Sequence, residues 1–300
     1  MKIQLLNRIL ATPWAARRES LSLLTQLVIA DERKSSHAGT VTARAGKFES
    51  TSWDGETKAL DIQRGYTPLN WEAAYAANGA LPQMPPGVHT VLVWGILGRG
   101  WTMTDKYWLD AIDVDDLTAA VAAVPEGETC VLWFRSPGGI VTGIGECAAA
   151  LRKLGTKRRI VAFTDDLCAS AAYWLAAQCE RIDATPSADI GSIGVYLAFY
   201  DWCEYLAKAG IKLELFKAGE LKGTGLTGNP LDPKSRQHLQ EGVDDWYRQF
   251  TADVTRNRDI ASEHMQGQCL VGKAALAAHL CDAFFASAAD YFAALGKGKM

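Results

Sequence analysis

Apolar residues along this chain change their period repeatedly from His89 onward. Val91–Ile96, Cys130–Phe134 and Ile160–Phe163 are short continuous apolar runs of strand length, and Arg181–Ala184, Val195–Phe199 and Lys212–Phe216 read as further strands. Between them Val114–Val124, Val141–Leu154, Ser170–Gln178 and Trp202–Ala209 repeat at helical spacing, and the chain from Pro233 onward is helical in pattern. Strands alternating with helices predict an α/β fold of parallel β-strands with helical crossovers. Continuous apolar strands suit a sheet covered on both faces. Upstream, residues 12–31 read as a helix, with Thr12 as cap, Pro13 at the first helical position and Leu21, Leu24, Leu27 and Val28 at helical spacing. From about Asp31 to Tyr66 the chain is polar and rich in Ser, Thr, Gly and Lys, the composition of a linker arm. The expected division is therefore an N-terminal helix with a polar arm over 1–66, and an α/β domain with C-terminal helices over 67–300.

Composition narrows the function classes. The 300 residues are 48% hydrophobic and 22% charged, with a formal net charge of −3, as in ordinary globular proteins. No basic stripe is present, so no nucleic-acid partner is expected; Lys157-Arg158-Arg159 leads straight into an apolar strand and reads as its solvated entry. No stretch approaches the roughly 18–20 apolar residues of a membrane span. Pro13, Arg17, Arg18 and Glu19 interrupt any signal-peptide core. A soluble protein without membrane anchor is expected. The seven cysteines are widely spaced with no CxxC pair, so neither a disulfide framework nor a zinc site is indicated, and a reducing cytoplasm fits. No metal or cofactor is expected.

Four segments are candidates for chemistry. Ser136-Pro137-Gly138-Gly139 lies between a strand and a helix; it is a plain turn, or its glycine amides face a developing oxyanion. In Cys168-Ala169-Ser170-Ala171-Ala172-Tyr173-Trp174, Ser170 opens an apolar helix; it is a helix cap, or a nucleophile beside free amides with small neighbours that admit a peptide. A serine nucleophile needs a base. None of His37, His89, His238, His264 and His279 falls between residues 90 and 237, so a Ser-His-Asp triad is not expected. A lysine serves if burial, without a carboxylate partner, keeps it neutral. Lys222 sits in the glycine-rich loop 216–225, but the residues do not choose it over Lys217. Ser192, in Ile190-Gly191-Ser192-Ile193-Gly194-Val195, is a turn serine or a partner for such an amine.

Taken together and in this order, the four segments resemble the signal peptide peptidase A family of serine peptidases over roughly residues 89–290, including the tail Ala274–Asp282. The resemblance implies Ser170 as nucleophile, Lys222 as general base, Ser192 in support, and oxyanion donors from Gly138, Gly139 and the Ala171 amide. It also implies the fold shared by the Clp proteolytic subunit and the crotonases, with units that assemble into homo-oligomers. Two departures, Arg135 before the Ser-Pro-Gly-Gly turn and Ala-Ala after Ser170, are similar to the phage minor capsid protein C branch, as is the opening Thr12-Pro13-Trp14. That branch implies cleavage of scaffold, portal or capsid proteins during prohead maturation in the host cytoplasm. Other readings are a non-catalytic capsid or scaffold protein on the same fold, and a crotonase-type acyl-CoA enzyme, for which Glu146 is the one evident carboxylate on its helix. A nucleotide-binding oxidoreductase is a third, since Gly143-Ile144-Gly145-Glu146-Cys147-Ala148 fits GxGxxA, though it begins nine residues past Phe134 rather than at the strand end.

Overall fold

The computed structural model describes residues 14–16, 66–69, 81–102, 105–106 and 109–298. Its strands are β1 (Trp14–Ala16), β2 (Tyr66–Pro68), β3 (Val88–Trp94), β4 (Ile96–Gly98), β5 (Ala111–Asp113), β6 (Thr129–Ser136), β7 (Gly138–Ile140), β8 (Arg159–Ala169), β9 (Ile182–Ala184), β10 (Asp189–Gly191), β11 (Cys269–Leu270) and β12 (Ala283–Phe284). Its α-helices are α1 (Val114–Ala123), α2 (Ile144–Gly155), α3 (Ala171–Ala176), α4 (Cys203–Lys208), α5 (Pro233–Val254), α6 (Gly272–Ala277) and α7 (Ala288–Gly296).

The large sheet runs β11-β10-β8-β6-β3-β2, with β9 also on β8 and β12 on β9. Its β2–β3, β3–β6, β6–β8 and β8–β10 pairs are all parallel, and α1, α2 and α3 lie on the connections. The expected α/β architecture of parallel strands with helical crossovers is present. The period-2 geometry of a strand sends alternate side chains to opposite faces. Val91, Val93, Leu132, Phe134, Ile160 and Ala162 pack with α1–α3, whereas Leu92, Trp94, Val131, Trp133, Val161 and Phe163 pack with Tyr291, Phe292 and Leu295 of α7. Phe163 stacks on Tyr291 at 4.2 Å between ring centroids. On the other face α5 docks through Phe250, stacked on Trp174 at 4.6 Å, and Asp253, which accepts from the Trp174 indole at 2.9 Å. Helix α5 begins as its sequence dictates: Pro233 stands in its first turn, and the Asp232 cap accepts from the Ser235 amide.

A second, smaller sheet has the order β1-β7-β4-β5. Here the structure departs from the pattern. Residues 14–16 form a strand where a helix is predicted from residue 12, because pairing with β7 gives this backbone a ladder that outweighs local propensity. The rest of the predicted 12–31 helix, most of the 31–66 arm and His37 lie outside the described residues. The segment from Pro233 is not wholly helical: β11 pairs antiparallel with β10, and β12 parallel with β9. Val195–Phe199 forms no strand beyond a single bridge at Tyr196, and Lys212–Phe216 forms none. A strand needs a neighbour, and Lys212–Phe216 faces solvent instead, with Phe216 92% exposed. Among the described residues no helix is long and apolar enough to cross a membrane.

Candidate active site

Three of the four candidate segments converge at the end of the large sheet. β6 and β8 run in register to Phe134 opposite Thr164, and the next pair is Ser136 opposite Cys168. Two steps on β6 therefore meet four on β8, and the extra residues form a bulge of the kind that re-aims side chains near sites. Arg135 pins this bulge. Its guanidinium donates twice to Asp165, at 2.8 and 2.7 Å, and lies 4.1 Å over the Trp94 ring; the Trp133 indole donates to the same carboxylate at 2.8 Å.

Beyond the bulge, Ser170 is the turn residue between β8 and α3. It is 1% exposed and holds φ 55, ψ −120, a conformation that non-glycine residues rarely adopt. Its amide donates to the Gly191 carbonyl at 2.7 Å, its own carbonyl accepts from the Trp174 amide, and its hydroxyl donates to the Gly194 carbonyl at a long 3.4 Å. The cap reading of Ser170 is corrected: its side chain makes no capping hydrogen bond. Ala171 is the first helical residue, so its amide has no intrahelical acceptor. Cys168 is no competing nucleophile, because complete burial pushes its thiol well above the ordinary range.

The Ser192 side of the site is built likewise. Gly191 and Ser192 both have positive φ, 122° and 53°, and the Ser192 amide donates to the Gln268 carbonyl at 2.7 Å. Ser192 is 7% exposed, and its hydroxyl has no hydrogen-bond partner among the described residues. In the glycine turn, the Ser136 hydroxyl donates to the Gly95 carbonyl at 2.6 Å and accepts from the Gly138 amide at 3.2 Å. Gly139 allows no side chain, since a Cβ would stand 1.8 Å from the Leu97 carbonyl oxygen of β4.

The fourth segment is not brought to Ser170 within the chain. Lys222 is exposed, and its ammonium makes no hydrogen bond or ion pair among the described residues. Its loop is nonetheless a built structure. The Asn229 side-chain amide donates to the Gly223 carbonyl at 2.7 Å, and Thr224 shares a 3.0 Å hydroxyl bond with Ser235 of α5. Gly225 has φ 77, with Phe199 where a Cβ would stand. The two lysines that the sequence leaves equivalent differ in their contacts within this loop. Lys217 donates to the Glu220 carbonyl at 2.9 Å, while the Glu220 carboxylate pairs with Lys234. Lys222 therefore has no carboxylate partner.

Sequence reasoning missed the Arg135–Asp165 clamp. The signal lay in Arg135 directly before Ser136 and in Asp165 five residues before Ser170, but its meaning depends on a register shift that residue patterns do not reveal. Gly143, the first glycine of the nucleotide-binding alternative, opens α2 with φ 89 beneath the Arg99 side chain, which is paired with Asp115. Among the described residues no group of three or more His, Cys, Asp or Glu is placed to hold a metal ion.

Comparison with known proteins places this geometry in a family. Capsid assembly protease C of Escherichia phage lambda is 29% identical over 134 residues, covering 45% of this chain and 30% of that protein. Head-tail preconnector protein GP5 of Enterobacteria phage P21 is 31% identical over 132 residues, 44% of this chain and 26% of that one. "Probable protease SohB" of Haemophilus influenzae is 28% identical over 171 residues, 56% and 48%. The matched part of the chain thus spans half or less of each of these relatives. A solved structure, a mutant ClpP1 from Listeria monocytogenes, aligns with 66% of this chain and 92% of its own at TM-score 0.41 and 10% identity. The family model described as Peptidase family S49 matches residues 152–292, a span that takes in Ser170, Ser192 and Lys222. Residues 152–292, just under half of the chain, are thus similar to peptidase family S49, the signal peptide peptidase A family that the four motifs resemble.

Proposed function

We propose that this chain is a serine endopeptidase in which Ser170 is the nucleophile and Lys222 its general base, with phage prohead proteins as substrates. The observation that carries the reading is the strained, buried turn of Ser170, whose side chain does not cap its helix. Strain of this kind costs about 1–3 kcal/mol and persists where the surrounding fold over-determines it.

The steps follow from the groups present. Neutral Lys222 accepts the Ser170 proton as Oγ bonds to the scissile carbonyl carbon. The carbonyl oxygen becomes an oxyanion held by the Ala171 amide and the Gly138–Gly139 turn; a charged acceptor outcompetes the long 3.2 Å bond that Gly138 makes to Ser136. Losing one such donor typically costs about 2.7–4 kcal/mol of barrier. The lysine ammonium then protonates the leaving amine as the C–N bond breaks. Water, deprotonated by the same lysine, releases the acyl group and returns the proton to Ser170. The unpartnered Ser192 hydroxyl supplies an acceptor that orients the amine.

A lysine acts as base where burial favours its neutral form, so the account needs a surface that buries Lys222. The segment carrying Lys222 displays Tyr200, Trp202, Tyr205, Ile211, Phe216 and Leu226, each at least 45% exposed. Large apolar residues exposed together along one segment are what an association site offers. The working form is a homo-oligomer in which this segment packs on another copy and takes Lys222 out of water. The phage relatives support a substrate among scaffold, portal or capsid proteins, met in the host cytoplasm. Co-expression with such a protein, followed by mass spectrometry of the products, tests the proposal: wild type cleaves, and Ser170→Ala folds but does not.

A further inference from the structure

Strand β1 occupies a place that the proposed chemistry reserves for substrate. Strand β7 is Gly138–Ile140, the glycine strand whose amides face the oxyanion. One of its edges is taken by β4, with Leu97 opposite Gly139. A peptide whose scissile carbonyl reaches the amides of this turn would continue as an extended strand along the other edge of β7. That edge carries β1, antiparallel, with Trp14 opposite Ile140, Ala15 opposite Gly139 and Ala16 opposite Gly138. The segment is also substrate-like in sequence, with small alanines at the two positions that face the glycines.

We infer that Trp14–Ala16 is a tethered ligand of the peptidase site, an extended small-residue strand of the chain's own that competes with substrate for the outer edge of β7. This rests on the reading of Gly138–Gly139 as the oxyanion turn. The edge then selects its ligands in two ways. Main-chain pairing along β7 admits any extended backbone, as in other strand-addition sites. A register that sets the ligand opposite two glycines, one of them pressed against Leu97, favours small residues there. A tethered competitor acts at an effective concentration set by the chain that joins it to its site. A free substrate therefore binds weakly until β1 leaves, and a scaffold-bound substrate at high local concentration displaces it. Activity is in this way confined to crowded assemblies without any separate inhibitor.

The test compares the full-length chain with an Ala15→Pro/Ala16→Pro variant. Two adjacent prolines remove the strand's amides whichever of the alternating pairs carries the ladder bonds. In a Ser170→Ala background, a fluorescein-labelled peptide of residues 12–17 should bind the double-proline chain about tenfold or more tighter than the chain with native β1. In the active background the KM for a small-residue peptide should fall by about the same factor, with kcat nearly unchanged. Equal affinity in the two chains, or no binding by either, overturns the inference. The binding arm needs no catalysis, so a double-proline chain that binds but never cleaves in its active form leaves β1 as ligand and removes the Ser170–Lys222 reading. Cleavage by both forms with identical KM does the reverse. Should the double-proline chain fail to fold, hydrogen exchange on the unmodified chain decides: excess peptide should deprotect the amides of residues 14–16 while 138–140 stay protected, and unchanged protection at 14–16 contradicts the proposal.

Discussion

The Ser170 amide donates to the Gly191 carbonyl at 2.7 Å, and that backbone bond extends the β8–β10 pairing to tie the proposed nucleophile's turn to the strand that leads into Ser192. Both serines hold positive φ, 55° and 53°. The fold thus fixes two strained residues against each other, and neither conformation is explained by local sequence preference.

The strain at Ser170 has a measurable signature. Ser170→Gly should abolish peptidase activity yet stabilise the fold by about 1 kcal/mol, raising Tm by about 2–4 °C, because glycine adopts this backbone freely. Ser170→Ala should be equally inactive without the gain, since it keeps a Cβ at positive φ. Thermal unfolding of the two variants side by side checks this; equal Tm values would mean that Ser170 is not strained.

Arg135 and Asp165 should act on catalysis without touching substrate. Their two hydrogen bonds hold the bulge between Ser136 and Cys168. Asp165→Asn should lower stability by about 1–2 kcal/mol, as expected for half-buried charged hydrogen bonds. It should reduce kcat more than it raises KM, because the oxyanion turn loses its position. Arg135→Lys should rescue little, since an ammonium cannot reproduce the planar fork or its stacking on Trp94. Steady-state kinetics separates this from a general loss of folded protein.

Much of the large sheet was legible in the sequence. The apolar runs at 91–96, 130–134 and 160–163 became β3–β4, β6 and β8 because buried parallel strands carry a continuous apolar signature. What was not legible depends on partners distant in sequence. Trp14–Ala16 reads as helix until β7 is placed beside it. Lys212–Phe216 reads as strand, but no strand lies beside it among the described residues. The order of the four motifs pointed to Ser170 and Ser192 together, whereas the choice of Lys222 over Lys217 rests on the resemblance, because neither lysine has a carboxylate partner among the described residues.

The exposed segment around Phe216 carries the assembly prediction. Phe216→Asp should leave monomer stability within about 0.5 kcal/mol, as for a surface change. It should shift the sedimentation profile to smaller species and reduce peptidase activity in parallel. Unchanged oligomer size would remove this surface from the account.

Stability should fall on acidification in part through Asp282. Burial works against its charge, but the Arg258 guanidinium and the Ile182 amide outweigh it and hold the carboxyl below its ordinary value of 3.8. A depressed folded value means that this contribution is complete above the unfolded value and is lost as pH falls through the lower folded one. Asp183, pushed up by burial, has the opposite slope. Asp282→Asn should therefore be less stable than wild type at neutral pH, with the difference narrowing below about pH 4. Denaturant midpoints across that range check the sign.

The central claim is that Ser170 is a nucleophile activated by Lys222. The most direct measurement is labelling of the assembled full-length chain with a fluorophosphonate, read by intact mass and peptide mapping. The account predicts one adduct per chain, on Ser170, absent in Ser170→Ala and strongly slowed in Lys222→Met. An adduct on another residue, or labelling of Ser170 at the same rate without Lys222, would contradict it.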